Sequence, residues 1–171
     1  MFRTREQMVV CVAAGFASMF VLSLLAFAQT AGVRKELEAA YAKRDKAFLN
    51  KDFGFLKSQE TSDYSEKTKD GTVRNREEAD AVADQMAPMV KEVAEIATKI
   101  ESVKPGDQPG EYLLETSDHG KMTVNGPDGA SHELTGTGRY REIWVRTKDG
   151  WKIKYHEEVE SDMRIDGQPM N

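Results

Sequence analysis

The sequence predicts an α+β fold in which helices pack on one face of an antiparallel sheet. The first observation is the hydrophobic period, which is helical before Pro88 and becomes two after it. The second is the set of Asp-Gly turn signals that separate the segments, at 70–71, 128–129 and 149–150. Helices followed by a meander of strands are typical of this class. A chain of 171 residues fits one such domain.

Composition excludes several classes of protein and partner. The chain is 39% apolar and 31% charged, which excludes collagen-like, wholly disordered and multi-span membrane proteins. The formal net charge is −5, and neither half carries a cluster of basic residues. Because nucleic-acid binding needs such a positive footprint, we expect no nucleic-acid partner.

The first 28 residues have the pattern of a secretory signal peptide. Two arginines precede 21 residues without a charge, 8–28, and the segment ends in the tripeptide AFA. We predict cleavage between Ala28 and Gln29, which would release the protein into the periplasm or the medium. The alternative is an uncleaved anchor, because 21 helical residues span about 31 Å. In that case the protein would contact the membrane only through this segment.

The next part of the chain reads as helices. Apolar residues over 33–49 fall on one helical stripe, and Asp52 can cap a short turn that follows. Asn75 and Glu78 have the spacing of a capping box, which predicts the start of another helix. Pro88 lacks an amide hydrogen and ends or kinks that helix.

The rest of the chain reads as strands. Alternation predicts separate strands over 94–101, 112–116, 122–124, 132–146 and from Trp151 onward, with a loop at 105–110. Gly136 and Gly138 are interpreted as bulge or bend points of the long strand. Trp151, Ile153 and Tyr155 are expected on one face of the last strand. Residues 164–171 are predicted to be a loose tail.

Three segments together resemble a known superfamily. They are the helix end at 50–53, the turn and helix start at 69–78, and the closing hairpin at 138–153. The pattern is similar to the nuclear transport factor 2-like superfamily, in its SnoaL-like and ketosteroid-isomerase-like bacterial branch. The resemblance implies a cone-shaped, strongly curved antiparallel sheet wrapped around the N-terminal helices, with a pocket between them. It places this domain at 29–163, and it implies that the sheet can serve as a homodimer surface.

The histidines do not predict a metal site. His119, His132 and His156 lack the short spacings of local metal ligands, and no cysteine follows residue 28. We therefore expect neither metal nor cofactor. The run of His156 and two glutamates is interpreted as a solvated strand end, with His156 on the face opposite Glu157.

Candidate site residues come from the branch that the sequence resembles. Ketosteroid-isomerase-like catalysis needs a carboxylate base in a dry pocket and hydrogen-bond donors for the developing oxyanion. Scytalone-dehydratase-like and cyclase-like members pair His with Asp instead, and their positions are not clearly matched here. The catalytic candidates are Glu142 and Glu157. The ligand-binding candidates are Tyr41, Tyr64, Tyr140, Trp144 and Tyr155, for each of which plain core packing is the alternative.

Three functions remain open at this point. The leading hypothesis is an exported domain that binds a small, partly apolar molecule, dimerises through its sheet, or does both. The second is a metal-independent isomerase, dehydratase or cyclase acting on a small carbonyl compound. The third is a pure assembly module. The second hypothesis requires a buried carboxylate within hydrogen-bonding reach of a pocket tyrosine.

Overall fold

The computed structural model describes residues 30–127 and 129–170. The predicted signal peptide and its cleavage site lie outside the described residues. By its internal contacts the chain divides after Glu36. Of the first unit, residues 30–36 are described, and they are helical. The second unit, from Leu37 onward, contains all the other elements. Among the described residues, no helix has the length and apolar character needed to cross a membrane.

Two of the three described helices begin after the capping residues that the sequence predicts. They are α1 (30–49), α2 (Phe53–Ser58) and α3 (Arg76–Met86), followed by a 3₁₀ turn at Ala87–Met89. The Asp52 carboxylate accepts from the amide of Phe55 at 2.9 Å, at the start of α2. Asn75 and Glu78 form the predicted capping box, with bonds of 2.9 and 3.0 Å. Pro88 stands in the 3₁₀ turn that follows α3.

The described residues contain seven strands, of which the first two precede α3, and all seven join one sheet. They are β1 (Glu60–Lys67), β2 (Val73–Asn75), β3 (Val90–Pro105), β4 (Glu111–Asn125), β5 (Ser131–Thr147), β6 (Gly150–Ile165) and β7 (Gln168–Pro169). The order is β2-β1-β6-β5-β4-β3, and β7 pairs with β6. The sheet is antiparallel except between β1 and β6, which run parallel. The described part of the chain is therefore α+β, with N-terminal helices and a strongly curved, mostly antiparallel sheet.

Three segments differ from the sequence prediction. The two short strands predicted around Thr116 and Met122 are one continuous strand, β4. Strand β1 was not predicted, because its sequence ETSDYSEK is polar and its pairing with β6 is long-range. The segment predicted as a loose tail is hydrogen-bonded, since β6 extends to Ile165 and β7 turns back on it.

A bulge in β6 changes which side chains share a face. Trp144 pairs with Ile153 and Ile143 pairs with Tyr155, so Lys154 is an extra residue between the two pairs. A one-residue bulge reverses the alternation beyond it. Ile153 therefore stays buried, whereas Tyr155 lies on the opposite face from Ile153, contrary to the expectation that they share one.

The two glycines of β5 make room for side chains. A Cβ at Gly138 would collide with the ring and hydroxyl of Tyr140, and one at Gly136 would collide with the sulfur of Met163. The register shifts of this strand pair lie further along, at Arg139/Tyr140 and Ile143/Trp144. The glycines therefore are not the bulge positions that the sequence suggested.

The helices pack on one face of the sheet, which we call the inner face. On β5 this face carries Tyr140, Glu142 and Trp144. Tyr41 of α1 packs its ring 5.0 Å from that of Trp144, and Trp144 is fully buried. The outer face of β5 carries the alternating residues, among them Arg141.

Candidate functional site

A cavity of about 280 Å³ lies between the helices and the inner face, within the unit that begins at Leu37. Part of its lining is apolar and comes from Phe48, Leu56, Ile96, Met122, Leu134 and Met163, beside Gly120 and Gly136. The polar part comes from Tyr41, Arg44, Asp45, Thr98, Thr116, Asp118, Tyr140, Glu142 and His156. The cavity therefore suits a small molecule with both apolar and polar parts.

The centre of the polar wall is the carboxylate of Glu142. Its residue is only 4% exposed, yet the carboxylate has three donors. Oε2 accepts from the hydroxyl of Tyr41 and from Nε1 of Trp144, the latter at 2.8 Å. Oε1 lies 2.9 Å from Nδ1 of His156. A buried carboxylate is costly unless it is hydrogen-bonded, so these three donors stabilise Glu142 in its buried position.

Strand geometry brings these groups together. Tyr140, Glu142 and Trp144 alternate along β5, so all three point to the inner face. Glu142 and His156 are direct partners across β5 and β6. The bulge at Lys154 is what turns His156 inward, because without it the alternation from the buried Ile153 would point His156 outward.

His156 presents one ring nitrogen that is free for chemistry. A carboxylate only accepts hydrogen bonds, so Nδ1 carries the hydrogen that Glu142 binds. Among the described residues Nε2 has no hydrogen-bond partner, and the side chain keeps 28% of its surface exposed. Burial lowers the pKa of His156, but the hydrogen bond to Glu142 and its charge outweigh burial, and the pKa is raised above 6.5.

A second polar pair lies beside the first. The hydroxyl of Tyr140 donates to Oδ1 of Asp118 at 3.4 Å, and the ring of Tyr140 lies 4.7 Å from that of His156. Burial raises the pKa of Asp118 above its usual range. Burial, and then the charge of Asp118, also raise the pKa of Tyr140. Tyr140 is thus held as a neutral hydrogen-bond donor at the cavity wall.

The carboxylate of Asp45 is fully used inside the fold. Its two oxygens accept from the backbone amide of Thr98 at 3.1 Å and from the Thr98 hydroxyl at 2.9 Å. These bonds fasten α1 to β3. Asp45 therefore has a structural partner for each oxygen, although it lines the cavity.

Two groups of the lining lack adequate partners. Arg44 makes one long hydrogen bond, from Nη1 to the carbonyl of Leu56 at 3.4 Å, and it forms no ion pair among the described residues. Its Cζ lies 6.0 Å from the ring centre of Trp144. Thr116 is 2% exposed, and its Oγ1 has no hydrogen-bond partner. Unpaired buried polar groups in a cavity wall are positions where a ligand can bind.

The predicted site residues divide into two groups. Tyr41, Tyr140 and Glu142 line the cavity, and Trp144 packs directly behind Tyr41 and Glu142. Tyr64 is not part of the lining; it is buried elsewhere, with its hydroxyl 3.3 Å from Glu66.

Tyr155 and Glu157 also lie away from the cavity, on the outer face of β6. Glu157 forms ion pairs with Lys67 at 3.0 Å and with Arg141 at 2.9 Å. Its carboxylate is therefore held between two cations, outside the cavity.

Sequence reasoning missed six polar residues of the lining: Arg44, Asp45, Thr98, Thr116, Asp118 and His156. His156 was interpreted as part of a solvated strand end, because the bulge that buries it is not visible in the alternation. Thr116 was predicted to end a short strand and Asp118 to lie in the gap after it, whereas both belong to the continuous strand β4. The signal that could have found Asp118 and His156 is the pairing of a histidine with an acid that some members of the resembled branch use. Within the described residues, no three His, Cys, Asp or Glu side chains are grouped to hold a metal ion.

Comparisons with known proteins agree with this architecture. No protein-family model matches the sequence, and no curated protein matches it significantly. Solved structures do match. A nuclear transport factor 2-like protein from Cytophaga hutchinsonii is 16% identical, with a TM-score of 0.55 over 74% of this chain and 96% of its own.

Two further structures show the same arrangement. A cystatin-like fold domain from Nostoc punctiforme is 14% identical, with a TM-score of 0.52 over 74% of this chain and 75% of its own. A scytalone dehydratase-like protein from Novosphingobium aromaticivorans is 11% identical, with a TM-score of 0.60 over 78% and 89%. The chain therefore has the fold of the nuclear transport factor 2-like superfamily, as its sequence resemblance implied.

Proposed function

We propose that this protein is a metal-independent proton-transfer enzyme that binds a small carbonyl compound in the cavity. The observation that carries the proposal is the Glu142–His156 pair, which leaves Nε2 of the histidine free at the cavity wall. A histidine oriented by a carboxylate is a common arrangement for general acid–base catalysis. The isomerase or dehydratase type of reaction, named above as the alternative to binding, is the one that this pair supports.

His156 can take and return the proton. Neutral Nε2 accepts a proton from the carbon next to the carbonyl, and the electron pair of that C–H bond moves to the carbonyl oxygen. Glu142 stabilises the imidazolium that results, through its bond to Nδ1. The imidazolium then returns the proton to the ligand at carbon, or gives it to a leaving hydroxyl, which departs as water. Atoms and charge balance in either case.

The oxyanion that forms in this step needs donors. The hydroxyl of Thr116 is on the lining and has no hydrogen-bond partner among the described residues. Tyr140 is the direct partner of Thr116 across β4 and β5, and its single hydroxyl hydrogen would turn from Asp118 to the oxyanion. Because strands fix both residues, only the two hydroxyl hydrogens have to reorient when charge develops. Glu142 is a positioning residue in this scheme, since both its oxygens are already occupied.

The test is proton exchange on a probe ketone. Acetophenone is dissolved in heavy water with the purified protein, and loss of its methyl proton signal is followed by NMR. We expect exchange faster than in buffer, and a loss of roughly 10²–10⁴-fold in a His156→Gln variant. The matched control is His119→Gln, a surface histidine with 56% side-chain exposure, which should exchange like the wild type. Equal rates in His156→Gln and wild type contradict the proposal.

Binding without chemistry is the second candidate. The observation that favours it is the mixed lining of the cavity, which suits a partly apolar ligand whatever His156 does. Saturation-transfer NMR with the same acetophenone separates the two functions. A probe that binds but does not exchange supports the second candidate. In either case the leader predicts that the protein acts after export, and the resemblance predicts that it acts as a homodimer.

A further inference from the structure

The strongest unexplained feature of the cavity is the cation of Arg44. Guanidinium groups offer five N–H donors and are rarely buried without an anion. Here one donor makes a single bond of 3.4 Å, to the Leu56 carbonyl, and no ion pair is formed among the described residues. Burial lowers the pKa of Arg44, and the nearby charges of Glu60 and Asp45 oppose this effect. Within the described part of the chain, neither carboxylate forms an ion pair with Arg44. The cation thus lacks the anion that its environment favours.

The other open groups of the lining are also chiefly donors. The Thr116 hydroxyl has no partner, and His156 donates through Nε2 whenever its ring is protonated. The acids of the lining compete little for these donors. Both oxygens of Asp45 are bonded to Thr98, and Glu142 already has three donors of its own. The third acid, Asp118, accepts from the hydroxyl of Tyr140 and forms no ion pair with Arg44 among the described residues. Arg44 therefore lacks a paired acceptor, and a carboxylate is the small group that supplies two acceptor oxygens to a guanidinium.

The remaining wall indicates what the carboxylate is attached to. Phe48, Leu56, Ile96, Leu134 and two methionines give the cavity an apolar side. An inorganic anion would leave that side in contact with water, whereas an organic acid would cover it. The volume of about 280 Å³ is at the small end for ligand cavities, so the acid is small.

We propose that the ligand is a small organic acid with an apolar body, and that Arg44 binds its carboxylate while Thr116 and His156 face its other polar atoms. This inference rests on the proposed use of the cavity as a ligand site. It adds the ligand class, a carboxylate that the proton-transfer step itself does not require. Arg44 is thereby assigned as the specificity-determining residue of the site.

The experiment compares two probes that differ only in charge. Benzoate and benzamide have the same ring and nearly the same shape, and their dissociation constants are measured by calorimetry or saturation-transfer NMR at neutral pH. We expect benzoate to bind roughly tenfold more tightly, the usual effect of a charged hydrogen-bonded pair. Arg44→Gln should remove that preference, and Arg44→Lys should keep part of it. The matched control, Arg139→Gln, alters an arginine with 68% side-chain exposure and should change nothing.

Several outcomes overturn the inference. Equal affinity for the two probes, an unchanged preference in Arg44→Gln, or no binding of either probe each contradicts it. Acetate or phosphate binding as tightly as benzoate would also contradict it, because the apolar body would then contribute nothing. If Arg44→Gln does not fold, the test uses Arg44→Lys instead. An unaltered tenfold preference for benzoate in Arg44→Lys would show that the guanidinium geometry is not used, and would contradict the inference. Exchange of acetophenone that depends on His156, without any preference for benzoate, would leave the proposed function standing and remove only this inference.

Discussion

Two neighbouring pairs on β5 and β6 carry similar charges in opposite environments. Arg141 with Glu157 lies on the outer face, and the adjacent pair on the two strands, Glu142 with His156, lies on the inner face. In the outer pair Glu157 is 17% exposed and is shared with Lys67, but both of its cations are more than 40% exposed to water. The inner pair is enclosed by α1 and has a residue only 4% exposed at its centre. Water weakens the outer pair, whereas enclosure makes every partner of the inner pair necessary.

The comparison shows that the exposed pair constrains the structure little, whereas the buried pair constrains the groups around the cavity. An exposed ion pair can lose a member and be rehydrated, so it contributes little and constrains little. A buried carboxylate with three donors is stable only if all of them are held in place, which fixes the positions of Tyr41, Trp144 and His156. The same restraint that makes the inner pair costly therefore gives the cavity a fixed set of polar groups.

The largest expected effect is the loss of Glu142. In Glu142→Ala the hydroxyl of Tyr41, Nε1 of Trp144 and Nδ1 of His156 all lose their acceptor inside the protein. We expect the free energy of unfolding to fall by about 3–5 kcal/mol. Chemical denaturation followed by circular dichroism measures this change.

The control is the outer acid. Glu157→Ala should lower the free energy of unfolding by no more than about 1 kcal/mol, because water replaces the lost partner. Similar losses in the two variants would mean that enclosure does not distinguish the pairs.

The next effect concerns the glycines beside the cavity. In Gly138→Ala the new methyl group meets the rigid ring of Tyr140, two residues on along the same face. We expect a loss of about 1–3 kcal/mol, typical of overpacking. In Gly136→Ala the methyl group meets the flexible end of Met163, which can move, so the loss should be clearly smaller. Thermal unfolding of the two variants, side by side, checks the order, and a reversed order would contradict it.

The sequence predicted the features that depend on neighbouring residues, and it missed those that depend on long-range contacts. Caps at Asp52 and Asn75 act within three residues, and the structure confirms both. The inner position of Glu142 is also consistent with simple alternation along β5. Strand β1 could not be predicted in this way, because its partner is about ninety residues away and its own sequence is polar.

The site was harder to predict than the fold for a physical reason. A single extra residue, Lys154, decides whether His156 points to the cavity or to water, and alternation carries no sign of it. Arg44 matters because it has one long hydrogen bond and no ion pair, and Thr116 because its hydroxyl has no partner, among the described residues. These are properties of the assembled cavity and not of any local pattern.

A smaller effect is the pH dependence of the inner pair. Burial lowers the pKa of His156 in the folded state, but the hydrogen bond to Glu142 and the charge of Glu142 together outweigh burial, so that the pKa is raised. The stabilisation from its charge is therefore complete below pH 6.5 and is lost as the pH rises through the folded pKa. The difference in free energy of unfolding between wild type and His156→Gln should fall over that range. Burial raises the pKa of Glu60 to about 7, so Glu60 also makes the fold less stable as the pH rises. Because Glu60 is present in both proteins, its contribution cancels in the difference.

The outer pair should respond to pH in the opposite sense. The hydrogen bond from Lys67 lowers the pKa of Glu157, so the stabilisation from the charge of Glu157 is present above pH 4.5 and is lost on acidification.

For the inner pair, a wild-type advantage over His156→Gln that grows with pH would contradict the sign derived above.

The smallest effect is the response of the outer pair to salt. Arg141→Gln removes a cation that is 46% exposed, so the free energy of unfolding should change by less than about 1 kcal/mol. Added sodium chloride screens charges in water, and it should shrink even this difference. The loss in Glu142→Ala should persist at the same salt concentration, because enclosed hydrogen bonds are screened much less. Denaturation of both variants at low and high salt measures the contrast. If salt reduced the two losses equally, the inner pair would have to be open to water, and the cavity could not orient His156 as proposed.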